Sequence, residues 1–538
     1  MRRLAAVIAI VAWVSQALPA NAQRPGAAFD VDHYRFALTL SDTTDVIQGE
    51  ATVDVAVLAT TDQVVLDLIG RQEDGKGMAV SSVMENGQPR AFQHGDNRLS
   101  ITLPEPARQG DRRQFVVTYS GIPADGLVIS TNRHGDRTFF GDNWPTRGRH
   151  WLPTVDHPSD KATVEWIVTA PAHYQVVGTG RLAEETDLTE TLRLTRWRSD
   201  IPLPTKVLVI GVARFAVEHL PEVDGVPLQS WVYPQDREAG FRDLELTVRV
   251  LDTFLRFLPP FPFEKLAGVQ SKTVFGGMEN ATNIFYAEDA ITGTGSMEAL
   301  IAHEVAHQWF GNAVSETDWP HLWLSEGFAT YLTDVYFERV HGREAMAARL
   351  RRERDAVFAM NARAPMLPVV DTLTADPLGL LNQNSYQKGA WVLHMLRRRV
   401  GDEAFFDGLR RHYAAYLHGN ASTDDFRRSI EEASGQDLRA FFDQWLHRPD
   451  EPVVEVAWRY DAAAQAVVGE VRQRQPGPAF SFPLDLAYGQ EGDPLRVQTV
   501  EVTQRVQAFT LPADAAPTVV VADPDVWLLA SFFIGATE

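Results

Sequence analysis

Cysteine is absent from all 538 residues. Disulfides, thiolate nucleophiles and cysteine metal ligands are therefore excluded, and an exported fold would have to rest on its core alone. Positive charge is also scarce: 50 Lys and Arg stand against 71 Asp and Glu, for a net charge of −21. Nucleic acids and anionic membrane surfaces need a basic footprint and are excluded as natural partners, whereas cationic peptides are compatible with this balance. Long hydrophobic runs are nearly missing. The apolar stretch 526–534 is too short to cross a bilayer. The run 4–18 follows Arg2-Arg3 and precedes Ala20-Asn21-Ala22, the order of charged, apolar and small-residue regions in a secretory signal. An uncleaved anchor is the alternative, but the run is short for a span and the Ala-x-Ala favours cleavage after Ala22. The expectation is an exported chain, periplasmic or secreted, with no stable membrane insertion once residues 1–22 are removed.

What is present reads as a globular protein of two to four domains: 45% hydrophobic, 22% charged, too long for one ordinary core. No internal repeat or low-complexity run occurs. Between residues 34 and 215 short segments rich in branched and aromatic residues alternate with Gly, Pro, Asn and Asp clusters (34–40, 50–57, 63–68, 114–119, 162–169, 175–179, 191–197, 206–212), predicting a β-sandwich or saddle-like sheet. Residues 139–158, with Trp144 and Trp151, interrupt the pattern as a long loop of the kind that carries function. Near 235 the period becomes helical: 237–258 reads as one amphipathic helix ending at Pro259-Pro260, and 269–274 as an edge strand leading into Gly276-Gly277-Met278-Glu279-Asn280. Further helices are expected at 386–400, 403–418, 423–434 and 438–446, and after Arg448-Pro449 six strands of a small β-sandwich of about 90 residues.

The chemistry concentrates at His303-Glu304-Val305-Ala306-His307, in an apolar, helix-compatible context. Imidazoles four residues apart on a helix lie one above the other and can face a single ion. Glu304 between them is turned away from ligation yet close enough to take a proton from water. After 18 further residues comes Glu326, within Trp323-Leu324-Ser325-Glu326-Gly327-Phe328-Ala329, a second helical stretch that would add a carboxylate and leave a fourth position open. The bare HExxH recurs by chance in ordinary helices; Glu326 at this spacing is what makes it a metal site. His394 and His412 lack metal spacing and read as structural.

The glycine turn ending in Glu279-Asn280, the HExxH, the glutamate in its WLxEGFA setting and Tyr386-Gln387-Lys388-Gly389-Ala390, in that order, resemble the M1 family of zinc aminopeptidases (gluzincins) across nearly the whole mature chain. The resemblance implies an α+β multidomain fold: an N-terminal β-sandwich or saddle domain (23–216), a thermolysin-like, mainly helical catalytic domain (217–448) and a small C-terminal β-sandwich domain (449–538). It further implies one Zn2+ per chain on His303, His307 and Glu326, with Glu304 as the general base that activates the zinc-bound water attacking the scissile carbonyl. By the same resemblance Glu279 holds the free α-amine of a peptide substrate, Gly276, Gly277, Met278 and Asn280 complete the substrate-binding turn, and Tyr386 stabilises the oxyanion. Pro260, Phe275 and Met278 are candidates to line the first pocket. One departure stands out: where many members place Gln or Glu as a second amine anchor this chain has Trp144, so the anchor is supplied by Asp142 or Asn143 or is absent. The long helical C-terminal domain of larger members has no counterpart in these residues, which predicts a more open cleft and tolerance of longer peptides. The alternatives are a thermolysin-type endopeptidase, epoxide hydrolysis as in the leukotriene-hydrolase branch, and a binding scaffold with a degenerate site.

Overall fold

A computed structural model describes residues 28–363 and 367–536. The expected secretory signal, residues 1–22, lies outside them. The order of layers follows the sequence pattern: β, then mainly helix, then β.

In the first region an eight-stranded sheet is built around Phe29–Thr39, which pairs antiparallel with Ile47–Val57 and parallel with Lys161–Pro171. Alternate residues of Ile47–Val57 point inward, the two-residue period that lets one face be apolar. A four-stranded and a three-stranded sheet pack beside it, and Trp151 stacks on Trp166 at 5.7 Å between the interrupting loop and the main sheet. The segment expected as one strand at 206–212 divides into a 3-10 turn, Thr205–Val207, and a strand, Ile210–Ala213.

A five-stranded mixed sheet opens the second region, and here two expectations are corrected. The strand expected at a sheet edge is Leu266–Ser271, and it lies centrally between Val226–Val232 and Asn283–Ala287, parallel to both. Its polar residues misled the reading because they are buried and paired: Gln270 Oε1 accepts from Tyr233 N–H and Ser271 Oγ donates to Tyr286 O. The edge belongs instead to Gly277–Met278. The single helix expected over 237–258 breaks at Glu245 into Arg237–Leu244 and Leu246–Leu255. Beside the break Asp243 turns inward, where its carboxylate accepts from the N–H groups of Thr292, Gly293 and Gly295, and Val248 N–H donates to Glu245 O three residues back.

The helices that follow are Glu298–Ala306, Trp323–His341, Arg343–Asn361, Gly389–Val400, Asp402–Tyr416, Thr423–Ser434 and Arg439–Leu446; the third, rich in helix-favouring Ala, Arg and Glu with Met346, Leu350 and Val357 on its buried face, is additional to the helices expected from the sequence. None of the described helices is long and apolar enough to cross a membrane. The last region packs a four-stranded sheet against a three-stranded one, and the apolar stretch near its end supplies a strand, Ser531–Ala536, parallel to Val453–Asp461. Buried side chains of all three regions form one continuous core. His394 and His412 belong to it: His394 stacks on Trp527 at 4.4 Å and shares a hydrogen bond with Val526 O, and His412 lies against Ser429.

Candidate active site

Three side chains from two helices converge at the floor of a cleft of about 260 Å³. His303 lies in Glu298–Ala306, His307 caps its C-terminus, and Glu326 sits in the first turn of Trp323–His341, where the helix dipole favours a carboxylate. His303 Nε2 and His307 Nε2 stand 3.0 Å apart, and Glu326 Oε2 lies 3.4 and 3.3 Å from them. Ligand atoms about 2.0–2.1 Å from a tetrahedral zinc lie about 3.3 Å from one another, so the set fits a divalent ion of that size. Two imidazole nitrogens aimed at each other beside a carboxylate can share a proton or receive a cation between them. Behind the set, His307 Nδ1 lies 3.1 Å from Ser325 Oγ and 3.3 Å from Phe310 O, contacts that fix the ring and leave Nε2 toward the cleft.

The helix of Glu326 meets the later helix Gly389–Val400 at a point the sequence does not advertise. A Cβ on Gly327 would lie 3.0 Å from the backbone of Gly389, and one on Gly389 would lie 3.1 Å from Gly327 Cα. That close crossing carries Glu326 and the π-helical turn Asn384–Lys388 into the same cleft. Tyr386 lies on this turn, and its ring stacks over His303 at 5.9 Å. Such turns recur at functional sites because they re-aim one side chain without ending the helix.

Glu279 arrives from the opposite wall, directly after the edge strand. Its Oε1 is buried without a partner, while its backbone carbonyl accepts from Gln308 Nε2 at 3.0 Å and Asn312 Nδ2 at 2.6 Å. The helix that carries His303 and the turn beyond it thus hold the edge strand in register. Lys161 of the first region extends this support by donating to the carbonyls of Asn312 and Ala313 at 3.1 Å. Gln308 and Lys161 carry no role in the sequence reading, and Asn312, Gly327 and Gly389 stand there only as turn or motif residues, without the supporting contacts seen here; only the polar pair just after an apolar HExxH helix offers a signal.

Buried carboxylates dominate the electrostatics. Burial raises Glu304 well above the ordinary carboxylate range, with His307 opposing and Glu279 and Glu326 adding to it. Burial likewise raises Glu279 and Tyr386. Glu326 is driven the other way: against its burial, His307 and hydrogen bonds from both imidazoles hold it far below the carboxylate range. Burial alone would lower His307, but Glu326, Glu279 and Glu304 carry it up to about 9, whereas burial leaves His303 lowered.

Of the expected substrate-binding residues, Gly276, Gly277, Met278 and Glu279 line the cleft, with Trp144, Phe275, Leu300 and Leu381. Asn280 is fully buried and has no face on it. Pro260 is exposed and is not among the residues that line it. Asp142 and Asn143 cannot anchor an amine as placed. Asp142 accepts from Arg147, Thr273 and Val274, and Asn143 is tied to Trp151, Thr205 and Leu208; both are fully buried. Trp144 occupies the wall instead.

Comparison with known proteins agrees with this geometry. A family model for the peptidase family M1 domain matches residues 242–445, and one for the peptidase M1 N-terminal domain matches residues 30–207. Glutamyl aminopeptidase of Bitis rhinoceros is 28% identical over 63% of this chain and 37% of its own length. Aminopeptidase M1-A of Oryza sativa subsp. japonica is 27% identical over 58% of this chain and, again, 37% of its own. The chain thus spans little more than a third of the length of these curated relatives. The crystal structure of a mutant M1 zinc metallopeptidase from Deinococcus radiodurans superposes with a TM-score of 0.68 at 26% identity, over 79% of this chain and 96% of that one.

Proposed function

The chain belongs to the peptidase M1 family, and from that premise we propose that it is an exported zinc aminopeptidase removing single residues from the N-termini of peptides. The observation that carries the reading is Glu279 Oε1, buried and unpartnered beside a three-ligand cage. An endopeptidase has no use for a carboxylate held there; an exopeptidase needs one to take the ammonium of its substrate.

His303, His307 and Glu326 would hold one zinc ion per chain, which when bound supplies Lewis acidity toward water and the scissile carbonyl. Glu304 takes the proton of the attacking water and passes it to the departing amine nitrogen. Glu279 fixes the α-ammonium one residue from the bond to be cut. Tyr386 donates its hydroxyl proton as a hydrogen bond to the oxyanion, and its high pKa keeps that proton in place at neutral pH. The exposed main chain of Gly277–Met278, as an edge strand, can pair with an extended peptide. Division into units at 216/217 and 448/449 and removal of residues 1–22 belong to the same proposal.

Paired peptides with free and acetylated N-termini test it. Acetylation should lower kcat/KM at least about 100-fold, because the lost partner of a buried charge is worth about 2–5 kcal/mol. Glu279→Ala should erase most of that difference, and equal cleavage of both peptides by the wild type would favour an endopeptidase instead. Tyr386→Phe should lower kcat about 100-fold with metal content unchanged.

Gly277 has a structural duty as well. A Cβ there would lie 2.4 Å from Glu304 Oε1 and 2.9 Å from its Cγ. Gly277→Ala is therefore expected to push the base aside and cut kcat more than about tenfold, with stoichiometric zinc retained, as kinetics and metal analysis would show.

A further inference from the structure

The cleft that receives the amine is walled by rings and hydrocarbon. Trp144 meets Phe275 edge-on at 5.9 Å and Trp319 at 5.7 Å, and Met278, Leu300 and Leu381 complete the apolar lining. Among the lining residues there is no Lys or Arg, while Glu279, Glu304 and Glu326 are all present.

We propose that this pocket selects an uncharged, bulky apolar side chain at the substrate's first position and rejects an acidic one, with Trp144 as a specificity-determining residue. The inference rests on the aminopeptidase reading and separates this chain in specificity from its relatives named glutamyl aminopeptidase.

Charge balance is the first argument. Three carboxylates, one divalent ion and one α-ammonium sum to zero; an acidic side chain would add a negative charge that nothing in the pocket offsets, in surroundings where an unpaired charge is costly. The second argument is where the nearby cations are. Arg147 lies over the Phe275 ring at 5.6 Å and is already engaged by Asp142 at 2.7 Å, by Asp125 and by Trp144 O. Lys206 lies over the Trp319 ring at 5.7 Å and pairs with buried Glu316. Both cations thus stand against the aromatic rings and are already neutralised. Trp144 Nε1 is an unpaired donor in the wall, but one neutral N–H does not balance a carboxylate. A large apolar side chain, by contrast, buries its surface against two rings and a methionine, and aromatic contacts add to the gain from area.

The test joins turnover with equilibrium binding. Wild-type kcat/KM on Leu, Phe, Ala and Glu aminoacyl amides should place Glu at least 100-fold below Leu. Calorimetry on the zinc-loaded wild type, which keeps all three carboxylates, with the amino alcohols derived from Leu, Phe and Glu, which carry no bond to cleave, should place the Glu derivative at least 30-fold weaker than the other two. Trp144→Ala should lower the Phe to Ala ratio at least tenfold. Leu381→Lys, at the partly exposed rim and free of the buried ring cluster, should raise the Glu to Leu ratio at least tenfold. Equal or better use of Glu, or ratios unmoved by both substitutions, would overturn the proposal. Cleavage of acetylated peptides with no turnover of any amide would overturn the aminopeptidase reading itself.

Discussion

Glu304→Gln is expected to lower kcat by at least about 10³-fold while zinc binds at unchanged stoichiometry, since general-base catalysis contributes about 10² to 10⁴ and the amide cannot take a proton. The substitution keeps the shape of the side chain, so its packing on Gly277 is preserved. It also leaves the three converging ligand atoms untouched. The proposed base starts from an unusual state. Burial, reinforced by Glu279 and Glu326, holds Glu304 well above the ordinary carboxylate range, so its carboxyl tends to keep its proton, and positive charge placed among His303, His307 and Glu326 draws it back toward ionisation. The acidic limb of the pH–rate profile should therefore belong to this group and vanish from the residual activity of the variant. Kinetics over a pH series, paired with metal analysis of the same preparations, checks both statements. Full activity in Glu304→Gln would remove Glu304 as the base, and loss of zinc would make it part of the cage.

Much of this site was legible before any coordinates because its chemistry is local in sequence. The four-residue spacing of His303 and His307 and the delayed Glu326 survive as a converging set because a helix turns spacing directly into direction. The alternating strands of the first region and the helix at Thr423–Ser434 were legible for the same reason, the latter bounded by a capping box at Ser422 and a left-handed Gly435. What stayed hidden depends on pairing between distant segments. No pattern in Leu266–Ser271 announces that Gln270 and Ser271 will find buried partners, so a central strand resembled an edge. Glu245 carries no breaker, and the helix parts there in register with the inward turn of Asp243 toward a loop 50 residues on. Gly327 and Gly389 are ordinary singly and decisive only as a crossing. The choice left open between Asp142, Asn143 and no second anchor could not be made from sequence for a similar reason: the three donors that occupy Asp142 come from Arg147, Thr273 and Val274, two of them more than 130 residues away.

Replacing His307 by alanine should abolish stoichiometric zinc binding and bring turnover to background, the largest effect expected of any single change here. Two ligands, His303 and Glu326, would remain where a catalytic zinc takes three, and the lost imidazole also opposes the charge of Glu326, Glu279 and Glu304. The wild type offers a readout that does not depend on activity. In the metal-free protein His307 is pushed up to about 9 by those carboxylates, so at pH 7 it carries a proton; His303, lowered by burial, does not. Ligation needs a neutral imidazole, so each bound ion must expel at least one proton at pH 7, with any proton given up by Glu304 adding to it, and affinity should rise at least about tenfold per pH unit until His307 is itself neutral near pH 9. Calorimetric zinc titrations in two buffers of different ionisation enthalpy measure that proton directly. Binding that releases no proton at pH 7, or a His307→Ala protein that still holds one zinc per chain, would remove His307 from the cage and with it the geometry on which the rest of the mechanism stands.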